Sequence, residues 1–399
     1  MSHLHVTPPQ TDVSSVPFLD IARENSPLEA EFQAAMLDVT RSGAFVLGPE
    51  CVKLERQIAE LVGVRHAVGC ASGSDALLLA LMALDIGPGD EVLLPSFTFF
   101  ATASAVWRLG AKPVFVDIDP RTYNIDPNRI EEAITRDTRA IIPVHLFGQP
   151  ADMEAIQDIA TRRELFVVED AAQSIGAALN GRAACAWGHI GCLSFYPTKN
   201  LGGCGDGGMM LTDDDQLAER LELFRAHGMK PRYVHREVGI NSRLDSLQAA
   251  VLNIKLQHLA GWTAARQTNA ADYDQLFNQF GVPAGVELPV TIEGAHCVWN
   301  QYTIRVSNGM RDALRQYLRD NGVGSEIYYP IPLHRQSCFS SLGWGEGSLP
   351  ETERAAREVL SIPIFPQLTA AERETVVRRT LQFFKSDASR LHDYRPAAA

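Results

Sequence analysis

Phe166-Val167-Val168-Glu169-Asp170-Ala171-Ala172-Gln173-Ser174 is the stretch on which the fold reading turns. It opens as a short apolar run, over 165–169, with no polar alternation. Strands covered by helices on both faces read this way, whereas strands with one wet face alternate. The run ends on acidic side chains followed by small residues, so a carboxylate stands at the C-terminal edge, where open α/β sheets put their sites. The same kind of run recurs upstream at 66–70, 91–94, 113–118 and 140–146. Helix-like segments at 76–84, 101–109, 127–134 and 153–163 separate these runs; Asp126 is the N-cap and Pro127 the first residue of the third. Strand and helix alternating in this way predict a doubly wound, mostly parallel sheet flanked by helices. Two further helices, over 28–41 and 50–61, precede the series, behind an arm of about twenty residues.

Past residue 212 the character changes. Helices are expected over 216–227 and 244–259, a strand over 302–306, helices over 310–321 and 370–385, and a proline-rich loop at Tyr329-Pro330-Ile331-Pro332. The expected organisation is a large α/β domain over residues 1–255, including the N-terminal arm, and a smaller α+β domain over 256–399, with the helix at 244–259 as the hinge between them.

Composition narrows the function classes. Of 399 residues, 36 are Lys or Arg and 48 are Asp or Glu, a net charge of −12. That field repels a polyphosphate backbone, so nucleic acid is not expected as a partner. Seven cysteines lack metal or disulfide spacing, which speaks for a reducing compartment and a cytoplasmic protein. No apolar run approaches the roughly twenty residues of a membrane span, and the N-terminus has no signal-peptide pattern.

The densest chemistry lies in Ser194-Phe195-Tyr196-Pro197-Thr198-Lys199-Asn200-Leu201-Gly202-Gly203-Cys204-Gly205-Asp206-Gly207-Gly208. A strand runs into one lysine, and a glycine-rich loop that can approach a ligand closely follows it. The lysine precedes the glycines, so this is not a P-loop, and no helix-opening GxGxxG follows the first strand. A lysine among apolar groups reads as a candidate nucleophile or, taken alone, as a surface lysine beside a flexible loop. Asp170, at the C-terminal end of a buried strand, reads either as a carboxylate that needs a cation or donors or as the N-cap of the following segment. Cys70-Ala71-Ser72-Gly73-Ser74-Asp75 is a strand, a small turn and a helix start, hence an anion site or a plain N-cap by Ser74 or Asp75. Together these three elements are what pyridoxal phosphate requires: an amine for its aldehyde, a carboxylate for its ring nitrogen and amide groups for its phosphate.

These motifs, with Leu47-Gly48-Pro49-Glu50, Gly87-Pro88-Gly89-Asp90-Glu91-Val92, Pro95-Ser96-Phe97-Thr98-Phe99-Phe100-Ala101-Thr102 and Gly239-Ile240-Asn241-Ser242-Arg243-Leu244-Asp245, resemble the pyridoxal-phosphate-dependent nucleotide-sugar aminotransferases of the DegT/StrS family, which have the fold type I architecture. The resemblance runs from about residue 16 to 385. It implies that Lys199 bonds the cofactor and shuttles protons, that Asp170 binds the pyridine nitrogen and that Gln173 lies near the phenolic oxygen. Phe99 would stack on the ring. Gly73, Ser74 and Ser194 would hold the phosphate, joined by Asn241 from a partner subunit. Arg243 would face the carboxylate of the amino donor, and Tyr328 and Tyr329 the sugar. It further implies a homodimer with shared sites, L-glutamate as donor and a nucleotide keto-sugar as acceptor. The segments at 232–235 and 239–250 are similar to those of C-3 rather than C-4 aminotransferases.

Two other readings share the fold. Family dehydratases carry His in place of the lysine, which Lys199 opposes, and a non-enzymatic regulator would have no need of Lys199, Asp170, Gln173 and Asn241 together. Asp117-Ile118-Asp119 reads as a strand end rather than a metal site, Asp213-Asp214-Asp215 as a helix start, and His145 and His227 as structural. His334-Arg335 reads either as a diphosphate contact or as surface.

Overall fold

The computed structural model describes residues 13–393. A short helix, Ile21–Asn25, leads into two longer ones, α1 (Glu29–Ser42) and α2 (Pro49–Val62). Each stops at a glycine in the left-handed region, Gly43 (φ 70°) and Gly63 (φ 81°), where a Cβ would be strained. Then follow β1 (His66–Cys70), α3 (Gly73–Ala83), β2 (Glu91–Pro95), α4 (Phe100–Arg108), β3 (Lys112–Val116), α5 (Pro127–Ala133), β4 (Thr138–Ile141), α6 (Met153–Arg163), β5 (Phe166–Asp170), β6 (Ile190–Ser194) and β7 (Gly208–Thr212). Asp126, Asp152 and Asp214 accept first-turn amides of α5, α6 and the helix α7 (Asp215–Arg225). The triple-aspartate and DxD segments thus do local work, and Asp117 accepts the amides of Ile118, Glu351 and Thr352.

The seven strands form one sheet in the order β1-β7-β6-β5-β4-β2-β3. Five of them, β3, β2, β4, β5 and β6, run parallel. The sheet is not wholly parallel, because β7 is antiparallel to both β6 and β1. The link between β6 and β7 is the glycine-rich stretch, which contains no helix, and a parallel return needs a crossover, usually helical. α3 lies against the sheet and buries Ala76 through Leu81 around its whole circumference.

The strand expected over 140–146 ends at Ile141, and the chain bends into a short turn over Leu146–Gly148 with Phe147 at φ 60°. The helix expected over 244–259 is α8 (Ser246–Leu256), and a 22-residue helix, α9 (Leu259–Phe280), follows it directly. α9 was illegible because its buried face, Thr263, Arg266, Asn269, Ala270, Tyr273 and Phe277, has helical spacing but mixed polarity. The segment expected as one helix thus ends at Leu256, and a break over 257–258 separates it from α9.

The C-terminal part holds β8 (Val286–Glu287), β9 (Tyr302–Val306), α10 (Arg311–Asp320), α11 (Pro350–Glu358), β10 (Val359–Ile362) and α12 (Ala370–Asp393), with β8, β9 and β10 in a small antiparallel sheet. Residues 1–12 of the expected arm lie outside the described residues. Val16 pairs with the 322–324 segment and is buried with Tyr302 and Leu318. Conversely, Leu333, Phe339 and Leu349 pack into the core of the large sheet beside Leu94 and Phe115. Among the described residues, no helix is long and apolar enough to cross a membrane, and no cluster of His, Cys, Asp or Glu could hold a metal. All seven cysteines are free.

Candidate active site

Asp170 is the last residue of β5 and is buried. Its Oδ2 accepts the Thr102 hydroxyl at 2.8 Å and its Oδ1 the Ala172 amide at 3.2 Å. Burial pushes the carboxyl above its ordinary range, against the pull of these donors and of the Lys199 charge. The backbone of Asp170 is held on both sides, by Pro143 and His145. His145 proves structural, as read. Its Nδ1 accepts the Ala151 amide, so its Nε2–H donates to Glu169 at 2.8 Å, and three backbone amides complete the shell of Glu169. His227, by contrast, is exposed.

Lys199 follows β6 in a turn closed by its own amide on the Tyr196 carbonyl. The side chain is half-buried, and no described residue makes a hydrogen bond with Nζ. Burial lowers its pKa from the usual lysine range, opposed only by the charge of Asp170. The amine and the carboxylate, 29 positions apart in sequence, thus come within each other's field.

The third component is the start of α3. Ser72, rather than Ser74 or Asp75, is the N-cap, and its hydroxyl accepts the Asp75 amide. Ser74 lies in the exposed first turn, where the leading amides have no intrahelical acceptor. A Cβ on Gly73 would stand 2.7 Å from Ser194 Cβ, and one on Gly208 2.4 Å from the Ser72 carbonyl. Backbone here packs on backbone, so β6, β7 and α3 converge on a cradle lined by amide groups and the Ser194 hydroxyl. Such a cradle suits a phosphate.

Gln173 is oriented by its surroundings. Its Oε1 accepts the Phe147 amide at 2.6 Å, so the side-chain N–H groups are its donors, one reaching Tyr329 Oη at 3.3 Å. Burial raises the Tyr329 pKa further, and Asp170 adds to this, so the phenol stays protonated. The Tyr329 ring lies 6.3 Å from Phe99 and 5.7 Å from Tyr328. Phe99 itself is 58% exposed, a free aromatic face at the site's rim. The fit to pyridoxal phosphate therefore rests on a lysine without a partner, a buried carboxylate, amide donors at a helix start and an open ring.

Two expected residues stand apart. Ser242 is buried, accepts the Ala71 amide and donates to Asp75 Oδ2. Its neighbours Asn241, exposed, and Arg243, half-buried, make no side-chain hydrogen bond with the described residues. His334 is neither of the things expected of it: it is 2% exposed and bonded to Ser96 and Glu353. Sequence reasoning missed Thr102, although it lies in a quoted motif, because only the fold brings α4 onto the end of β5.

Comparison with known proteins agrees with this geometry. The DegT/DnrJ/EryC1/StrS aminotransferase family matches residues 27–380. The chain is 49% identical to a "pleiotropic regulatory protein" of Geobacillus stearothermophilus, over 93% of this chain and 99% of the other. It is 45% identical to the UDP-N-acetyl-3-dehydro-alpha-D-glucosamine 3-aminotransferase of Acidithiobacillus ferrooxidans, with the same coverage. The crystal structure of S. venezuelae DesV, solved with a ketimine intermediate, superposes with a TM-score of 0.87 at 43% identity, covering 96% of this chain and all of that one.

Proposed function

The chain belongs to the DegT/DnrJ/EryC1/StrS aminotransferase family, and from that membership we propose that it moves an amino group from L-glutamate to the C-3 keto group of a nucleotide-linked sugar. The observation that carries this reading is the meeting of Lys199, Asp170 and the α3 cradle in a chain 45% identical to a named 3-aminotransferase. The cofactor of the family, pyridoxal 5′-phosphate, supplies when bound an aldehyde that carries the amino group and a ring that withdraws electrons.

The chain's own residues do the rest. Asp170 holds the ring nitrogen, and Thr102 and Ala172 fix that carboxylate. Gln173 donates toward the phenolic oxygen and Phe99 covers one ring face. Gly73, Ser74 and Ser194 bind the phosphate. Lys199 Nζ would hold the cofactor's aldehyde and, as a free amine, would take the Cα proton of glutamate and return a proton during amination of the sugar. Burial lowers its pKa from the usual lysine range, which favours the neutral amine that a base requires. Tyr328 and Tyr329 line the sugar side.

Asn241 and Arg243 serve the site of a second copy, the asparagine on the phosphate and the arginine on the donor carboxylate, so the working unit is a homodimer. This is supported by the lack of side-chain hydrogen bonds from either to the described residues and by exposed apolar side chains at Phe45, Val46, Tyr233 and Val238, the last 90% exposed. The domain division is drawn at 255/256, in the last turn of α8, and the break between α8 and α9 just beyond it supports this. A cytoplasmic location is supported by the seven free cysteines. A regulatory role, named for one relative, has no need of the residues that hold Lys199 and Asp170 in place.

Incubation with glutamate and a panel of 3-keto and 4-keto nucleotide sugars tests the reading. The expected product carries nitrogen at C-3. A 4-amino product, or none from any member of the panel, overturns it.

A further inference from the structure

Behind the tyrosine loop lies a buried array that the reaction as described does not use. Ser96, just past the C-terminal end of β2, is fully buried. Its carbonyl accepts the Leu333 amide at 2.9 Å and its Oγ the His334 amide at 3.0 Å. The same Oγ lies 2.7 Å from His334 Nδ1, and His334 Nε2 lies 3.2 Å from Glu353 Oε1. Glu353 is anchored in turn by the Gly347 amide, at 2.8 and 3.0 Å from its two oxygens. Because the carboxylate only accepts, Nε2 carries the imidazole proton, and Nδ1 accepts from the Ser96 hydroxyl. Burial lowers the His334 pKa, against the Glu353 hydrogen bond and charge, in keeping with that neutral form.

The bond order resembles a nucleophile triad, but Ser96 has no exposed surface and its oxygen already takes the His334 amide. No substrate reaches it. What the array does is join segments 238 residues apart, the rim of the large sheet and the loop that begins at Tyr328 and Tyr329. Four residues separate Tyr329 from His334, and two of them are prolines, so little slack lies between clamp and tyrosines.

We propose that His334 is a positioning residue for the keto-sugar acceptor, fixing the Tyr328–Tyr329 loop through Ser96 and Glu353; this rests on the sugar aminotransferase reading above. The two half-reactions separate it from a general structural role. Glutamate alone bleaches the visible band of the loaded enzyme, and the acceptor restores it. In Ser96→Ala and His334→Gln, bleaching by glutamate should stay within about twofold of wild type, whereas the acceptor KM should rise about tenfold with a smaller change in kcat. Since the two residues act as a unit, the double variant should be no worse than His334→Gln alone. Where His334→Gln fails to fold, Ser96→Ala, which deletes one hydroxyl, carries the test. An unchanged acceptor KM, or equal losses in both half-reactions, overturns the proposal. If wild type bleaches but no keto-sugar restores the band, the sugar reading fails, and the proposal with it.

Discussion

Two groups that carry opposite charges when ionised lie within each other's field in this site. Burial raises the Asp170 carboxyl and lowers the Lys199 amine. Both shifts disfavour the charged forms, so without cofactor the site strains the fold at neutral pH. The sign follows from linkage. A lysine whose folded pKa lies below its unfolded one contributes stability above the ordinary lysine range and loses it as pH falls through the folded value. At pH 7 the protonated amine is therefore a cost. Lys199→Met should raise the melting midpoint of the cofactor-free protein at pH 7 by about 2 °C, from about 1 kcal/mol, and the gain should shrink above pH 10. A midpoint below wild type at pH 7 would mean that the amine stabilises the fold. The cost is retained where function needs it, the usual trade between activity and stability. These two residues were legible because their chemistry is written in their own neighbourhoods: a lysine before glycines, and an acid closing an apolar run.

Their supports were not legible, because they belong to other elements. Thr102 lies 68 residues from Asp170, and Ser96 lies 238 from His334. Nothing local marks either pair. The elements themselves divide in the same way. β5 was readable because it opens on Phe166-Val167-Val168 with no polar alternation and closes on acids, and α6 matched its expected bounds because Asp152 caps it and Pro150 precedes it. The direction of β7 was not legible, since direction depends on what the preceding loop can span. α9 was missed because Arg266, Asn269 and Thr263 occupy its inward face. Arg266 donates to the carbonyls of Trp299 and Ile364, and Asn269 to that of Phe365. A helix that binds its neighbours through side chain-to-carbonyl bonds shows no apolar stripe. The loop from Tyr328 through α11 was assigned to the small domain by its position in the chain, yet its apolar residues pack on the large sheet.

At the scale of the molecule, the account requires two chains per site. Lys199→Ala damages a site from one side, and Asn241→Ala with Arg243→Ala damages it from the other. In a mixed dimer both lesions fall in one site and leave the second whole. Reassembling the two inactive proteins should return about a quarter of wild-type activity, by random pairing with one good site in each mixed dimer. If subunit exchange is demonstrated and no activity returns, Asn241 and Arg243 do not act across the interface. The claim beneath all of this is that Lys199 takes the Cα proton of glutamate while the bound cofactor, held at its ring nitrogen by Asp170, carries the amino group away. The most direct measurement is a single turnover of the loaded enzyme with glutamate and no acceptor, following the visible band and 2-oxoglutarate together. The account predicts loss of the band with one 2-oxoglutarate released per Lys199, and neither change in Lys199→Ala. A band indifferent to glutamate, or 2-oxoglutarate released by the alanine variant at the wild-type rate, would contradict it.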